Sequence, residues 1–190
     1  MVRLTDLAKA FIAPLIRPGD RVIDATLGNG QDSLFLARAT GPTGQLFAFD
    51  IQPQALEISR QRLQAAGCLE QAQLILASHS QIDRFVRGKT IAAAMFNLGY
   101  LPGGDKQRIT SAEHSLRGLA ACSRLLAPGG GISLLAYPGH PGGEQEADAV
   151  QAWAEGLDPQ HWQLELVQAQ SENRQTRTQP PRLICLKHRP

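Results

Sequence analysis

The chain has 190 residues and a mass of 20.6 kDa, with 43% hydrophobic and 19% charged residues and a formal net charge of +2. These proportions exclude a disordered tail, a collagen-like chain and a coiled coil. No stretch approaches the roughly 18 uninterrupted apolar residues of a membrane span. A core of this size needs no disulfide or metal staple, so a single domain over 1–190 is expected. Cys68, Cys122 and Cys185 are odd in number and far apart, with neither metal-ligand spacing nor a disulfide framework, so no metal is expected. The segment Met1–Asp6 lacks the apolar core of a signal peptide, and a reducing cytoplasm is the expected compartment.

Strand and helix patterns alternate along the chain. Thr5 is expected to cap a helix through Ile16, with Leu7, Phe11, Ile12 and Leu15 at helical spacing. Arg21–Ala25 reads as a buried strand, broken by Leu27-Gly28-Asn29-Gly30, and Asp32–Ala39 returns to helix. Leu46–Asp50 is a second strand with an acid at its end, and Pro53 opens a helix to about Ala66. Leu74–Leu76 and Ile91–Asn97 are the third and fourth strands. Ser111–Leu126 is a long helix ended by Pro128-Gly129-Gly130, and Gly131–Tyr137 is the fifth strand. Gly143 to about Leu157 is helical, and Trp162–Ala169 and Leu183–Lys187 are the last two strands. Such alternation predicts an α/β fold, a mostly parallel sheet with helices on both faces and ligands at the C-terminal strand ends.

Charge is unevenly placed. Gly139–Gln170 holds Glu144, Glu146, Asp148, Glu155, Asp158 and Glu165 and no Lys or Arg, whereas Arg174, Arg177, Arg182, Lys187 and Arg189 crowd the last segment. That segment suits phosphate contacts or a solvated strand edge.

The run Asp24-Ala25-Thr26-Leu27-Gly28-Asn29-Gly30 carries the first chemical signal. Its glycines allow a sharp turn and close approach of a ligand. Asp50, about 20 residues further on, can accept bonds from both ribose hydroxyls of an adenosine ligand. A dinucleotide loop would place a third glycine where Ser33 stands, and Asp24 repels a pyrophosphate. The same carboxylate suits the ammonium of S-adenosylmethionine (SAM), directly or through water. The loop therefore resembles motif I of class I SAM-dependent methyltransferases, with Thr26 in place of the usual first glycine. Leu126-Ala127-Pro128-Gly129-Gly130 and the final strand pair are also similar to that family. The resemblance implies a Rossmann-like sheet of seven strands, the last antiparallel.

Asn97-Leu98-Gly99-Tyr100 ends the fourth strand and resembles the Asp/Asn-Pro-Pro-Tyr motif of enzymes that methylate nitrogen. An Asn97 carbonyl can hold an amine's N–H bonds and leave its lone pair aimed at the sulfonium methyl. Such positioning can supply roughly 7–11 kcal/mol of the barrier at best. Tyr100 can stack on a base. Lys106 and Arg108 follow in a Gly-rich loop and can hold phosphate. His140, in the loop after the fifth strand, can take the ammonium proton or contact substrate. Ser78 or His79 can hydrogen-bond the adenine side of SAM.

The run from Asp24 to Ala37, the block from Phe96 to Lys106 and Gly139-His140-Pro141 together are similar to the "putative rRNA methylase" family, whose MnmM-type members methylate 5-aminomethyl-2-thiouridine at the tRNA wobble position. The resemblance implies SAM as donor and 5-methylaminomethyl-2-thiouridine as product. It implies SAM contacts from Asn29, Asp32, Asp50, Gln52, Ser78 and His79, beside Asp24, Gly28 and Gly30 of the loop. It implies that Asn97, Tyr100 and His140 face the nucleobase, and that the chain works as a homodimer on a tRNA anticodon stem-loop. Where the family has Asn residues before its Pro-Pro, this chain has Thr178-Gln179, so Arg174, Arg177 and Arg182 are the candidate phosphate contacts there. The competing readings are an rRNA or small-amine methyltransferase of the same fold, a non-catalytic RNA-binding protein, and a nicotinamide-dependent oxidoreductase, which Asp24 and Ser33 disfavour.

Overall fold

The computed structural model describes residues 2–88, 90–99, 111–168 and 179–190. Seven strands form one sheet: β1 (Arg21–Asp24), β2 (Gln45–Asp50), β3 (Ala72–Leu76), β4 (Ile91–Asn97), β5 (Leu126–Ala136), β6 (Trp162–Gln168) and β7 (Arg182–His188). Their spatial order is β3-β2-β1-β4-β5-β7-β6. β1 to β5 run parallel, and β7 lies antiparallel between β5 and β6. The fold is that of the class I methyltransferases. Chain order reverses between β1 and β4, which opens a crevice at their C-terminal ends.

Alternation along the buried strands divides the core in two. Val22, Leu46, Ala48, Ala93, Met95 and Leu135 pack beneath α1 (Leu4–Ile12), α2 (Gln31–Thr40) and α3 (Pro53–Ala65). Ile23, Phe47, Phe49, Ala94, Phe96 and Leu134 pack beneath α4 (Ile82–Phe85), α5 (Ala112–Leu125) and α6 (Gly143–Glu155). The same period-two rule puts Asp24, Asp50, Asn97 and Tyr137 on the α1–α3 face, one at the end of each central strand. The register brings these ends level, with Asp24 opposite both Ala48 and Met95, and Asn97 opposite Leu135.

Three elements differ from the sequence expectation. Arg3, not Thr5, stands at the cap of α1, and the helix tightens into a 3₁₀ turn over Ala13–Leu15, because Pro14 has no N–H to continue the α ladder. β5 starts at Leu126, so Pro128-Gly129-Gly130 lies within it as a register shift opposite the Ile91–Ala93 segment. There Gly130 is needed for close approach, since a Cβ would stand 2.6 Å from the Ala92 carbonyl oxygen. A short helical segment over 79–85, tied down by buried Ile82 and Val86, follows β3, where the sequence pattern named no element. Among the described residues no helix is long and apolar enough to cross a membrane.

Candidate nucleoside and methyl-transfer site

The loop between β1 and α2 is built by its own hydrogen bonds. Gly28 and Gly30 both adopt positive φ, at 49° and 72°, a region that side chains rarely tolerate. Gly30 is also pressed against α3, where an added Cβ would stand 2.6 Å from Ser59 Oγ. That hydroxyl in turn donates to the Gly28 carbonyl at 3.1 Å. The glycines thus serve the packing of α3 as well as any ligand.

Asp50 joins this loop to the end of β2. Its Oδ2 accepts from Gly28 N–H and its Oδ1 from Gln52 N–H, each at 2.9 Å. Both oxygens keep a further lone pair, so a diol can be gripped by a carboxylate whose orientation is already set. Ile51, the next residue, is 43% exposed and offers an apolar surface beside that acid. Sequence reasoning did not single it out; its signal was an apolar residue placed between the strand-ending acid and the helix start.

Asp24 lies under the loop. It is 1% exposed, with Oδ2 accepting from Ser33 Oγ at 2.6 Å and Oδ1 from Thr26 N–H at 3.1 Å. Burial, then the nearby Asp32 charge, pushes its carboxyl up to about 7. The carboxyl thus braces the loop from beneath. Asp32, in the first turn of α2, pairs with Lys9 of α1 at 3.0 Å, and the Lys9 ammonium stands 5.8 Å from the Phe35 ring centre. Asn29 is half-buried at the tip of the loop, and Gln52 is buried at the start of α3.

Ser78 caps the turn after β3 by accepting from Ser80 N–H at 3.2 Å. The His79 imidazole points into the interior, not into the crevice. It lies edge-on to Phe96 at 5.9 Å between centroids and 3.4 Å from Ser115 Oγ, and it is hydrogen-bonded to the Ala25 backbone. Burial pulls its pKa down to about 4, so it is neutral at physiological pH. The ring thus braces β1 against α5. Gly118 makes room for it, as a Cβ there would come within 3.0 Å of the ring. Ser115 passes the contact to buried Glu146 of α6, donating at 2.7 Å.

Across the crevice, Asn97 donates its backbone N–H to Thr26 Oγ1 at 2.7 Å. Leu98 N–H then bonds the Leu135 carbonyl at 2.8 Å, which carries the chain over β5. Gly99 has φ of 147°, and a Cβ built on it would lie 3.9 Å from both His140 Nε2 and Tyr137 Cδ2. The structure thus brings Asn97, His140 and Tyr137 to one side of the cofactor loop. Tyr137 was missed as a site residue, although it stands two positions beyond an inward-facing strand residue. Its phenol is pushed up by burial and by the Asp32 charge. His140 Nδ1 lies 3.1 Å from the Pro141 carbonyl, and its Nε2 is buried between Gly99 and Gly143, where an added Cβ would stand 3.9 Å and 2.9 Å away. Tyr100, Lys106, Arg108, Arg174 and Arg177 lie outside the described residues. Arg182 is described, buried and paired with Asp148 at 2.8 Å, which ties β7 to α6.

The sequence profile described as "Putative rRNA methylase" matches residues 46–187. The chain belongs to this family. This rRNA methylase family member is 40% identical over 169 residues to a protein of Arabidopsis thaliana named "tRNA (mnm(5)s(2)U34)-methyltransferase, chloroplastic". The match covers 84% of the chain but 62% of that relative's length. A crystal structure of a protein from Clostridium thermocellum described as an rRNA-methylase superposes with TM-score 0.90 at 30% identity, covering 99% of this chain and 98% of the other. A methyltransferase-like protein from Streptococcus mutans, solved in complex with SAH, superposes with TM-score 0.86 at 32% identity and covers 99% of both chains.

Proposed function

We propose that this rRNA methylase family member is a SAM-dependent N-methyltransferase that converts 5-aminomethyl-2-thiouridine to 5-methylaminomethyl-2-thiouridine at the tRNA wobble position. The observation that carries the reading is the placement of Asn97 beside the nucleoside loop, its main chain joined to that loop by the 2.7 Å bond to Thr26. The relative named for mnm(5)s(2)U34 supports the choice of acceptor.

The residues fit SAM. Asp50, pre-oriented by Gly28 and Gln52, would hold the ribose diol, and Ile51 and Ser78 would serve the adenine. Asn29 and Gly30 line the loop, Asp32 would add negative charge where an ammonium rests, and Asp24 would brace the loop from beneath. When bound, SAM supplies an electrophilic methyl on a sulfonium.

Asn97 presents its carboxamide oxygen to an N–H of the acceptor amine. That bond fixes the direction of the amine's lone pair, and catalysis is then mainly orientation. As the N–C bond forms and the methyl's bond to sulfur breaks, a neutral thioether leaves with that electron pair, and the amine takes on the positive charge and must lose a proton. His140 is the candidate acceptor, because its ring stands beside Gly99 at the end of β4. Tyr137 closes the other wall against Gly99. The same reading gives Tyr100 a stacking role and Lys106, Arg108, Arg174 and Arg177 contacts to the anticodon stem-loop. A cytoplasmic homodimer belongs to it through the family resemblance.

The test is nucleoside analysis of tRNA from cells lacking this chain. Accumulation of 5-aminomethyl-2-thiouridine, cleared by returning the gene, is the expected outcome. Unchanged tRNA with loss of a methyl from ribosomal RNA would overturn the choice of acceptor.

A further inference from the structure

In a parallel ladder the donors of one strand take alternate carbonyls of its neighbour. β1 and β4 follow that rule as far as Ala25, whose N–H bonds the Met95 carbonyl at 2.9 Å. The next donor is Asn97 N–H, and its regular acceptor would be the Ala25 carbonyl. It turns instead to the Thr26 hydroxyl at 2.7 Å, while the Ala25 backbone is hydrogen-bonded by the buried His79 ring. A glycine at position 26, usual in motif I of this fold, has no atom that could take that N–H. The departure from the motif and the departure from the ladder therefore occur at the same residue.

The consequence falls on geometry. Thr26 N–H is itself held by Asp24 Oδ1 at 3.1 Å, and Leu27 N–H bonds the Phe49 carbonyl at 2.8 Å. Thr26 is thus fixed to the loop that faces the ligand, and its hydroxyl reaches across to the residue that faces the amine. We propose that Thr26 is a positioning residue for methyl transfer: its hydroxyl sets the end of β4, and with it the Asn97 carboxamide, relative to the cofactor loop. The inference rests on the methyl-transfer reading above. It adds a residue that touches neither reacting group and governs the distance between them.

The test compares Thr26→Val, which keeps the shape and removes the hydroxyl, with Thr26→Ser, which keeps the hydroxyl. Full-length proteins are assayed on total tRNA from cells lacking the gene, and SAM binding is titrated separately. In Thr26→Val, kcat is expected to fall about 10- to 100-fold, because displacements near 1 Å cost that much, with SAM affinity within about threefold of wild type. Thr26→Ser is expected to restore kcat to within about threefold. In an Asn97→Ala background, Thr26→Val should cost nothing further, since the hydroxyl acts through that residue. Amide hydrogen exchange at Asn97 reads the bond without turnover and should speed up in Thr26→Val and recover in Thr26→Ser. Should Thr26→Val fail to fold, Thr26→Ala against Thr26→Ser carries the same comparison.

An unchanged kcat in Thr26→Val, an equal loss of SAM affinity, or full additivity with Asn97→Ala would overturn the proposal. Methylation of some nucleoside other than 5-aminomethyl-2-thiouridine by the wild-type protein would instead overturn the substrate reading. The Thr26 comparison could then still be read on that nucleoside.

Discussion

Asp50 Oδ2 accepts the Gly28 N–H at 2.9 Å, so the acid at the end of β2 and the glycine loop after β1 form one unit. The second oxygen is held by Gln52 N–H at the same distance. The carboxylate is oriented before any ligand arrives, and little ordering remains to oppose binding.

Replacing this acid should therefore weaken the cofactor site twice over, by removing the diol acceptor and by releasing the loop. For Asp50→Ala the SAM dissociation constant is expected to rise at least about tenfold, in line with about 1.5–3 kcal/mol for a hydrogen bond to a charged group. Calorimetric titration with SAM measures it.

Asn97 should behave differently. Its carboxamide is assigned to the amine, so Asn97→Ala is expected to lower kcat about 100-fold and leave SAM affinity within about threefold. Single-turnover methyl transfer combined with SAM titration separates the two effects. A large loss of SAM affinity would count against the role.

The buried Asp24 gives a pH signature. Its folded pKa of about 7 lies above the ordinary 3.8, so the folded state binds the proton more tightly. The stability this contributes is complete below pH 3.8 and is lost as pH rises through about 7. His79 acts in the opposite sense. Its folded pKa of about 4 lies below 6.5, so its contribution is present above pH 6.5 and lost as pH falls towards 4. In wild type the two slopes offset each other across this window. Asp24→Asn removes one of them, so the melting temperature of the variant relative to wild type should climb from pH 4 to pH 7 and level off above. Thermal denaturation of both proteins across that range measures the difference. A flat difference would mean that the carboxyl titrates normally.

Gly30 tests the packing of the loop on α3. Gly30→Ala meets both a φ of 72° and a Ser59 Oγ 2.6 Å away, and is expected to destabilise the protein by about 1–3 kcal/mol. Adding Ser59→Gly removes the Oγ and Cβ contacts but leaves the Ser59 Cα 3.1 Å away, loses the bond to the Gly28 carbonyl and places a glycine inside α3, so only partial recovery is expected. Urea unfolding of the single and double variants measures the recovery.

Much of this site was legible because its signals are short. A buried strand broken by Gly28 and Gly30, an acid at the end of β2 and an Asn at the end of β4 can each be read from a handful of neighbouring residues. The relations between them could not be read in that way. The Thr26–Asn97 bond spans 71 positions and depends on the register of β1 against β4. His79 follows the third strand in sequence, and nothing local shows that its ring packs inward against Phe96 and Gly118. Pro128-Gly129-Gly130 looked like a terminator, because local punctuation carries no record of the partner strand that absorbs it as a register shift. Tyr137 and Ile51 gave no motif; they belong to the site only through the strand ends they adjoin.

The most direct measurement supplies purified protein with SAM carrying an isotopically labelled methyl and with tRNA from cells lacking this chain, then digests the tRNA and locates the label by mass spectrometry. The expected result is label on the exocyclic nitrogen of 5-methylaminomethyl-2-thiouridine, appearing about 100-fold more slowly when Asn97 is replaced by Ala. Label on any other nucleoside, or label at that nitrogen undiminished in the Asn97 variant, would contradict it.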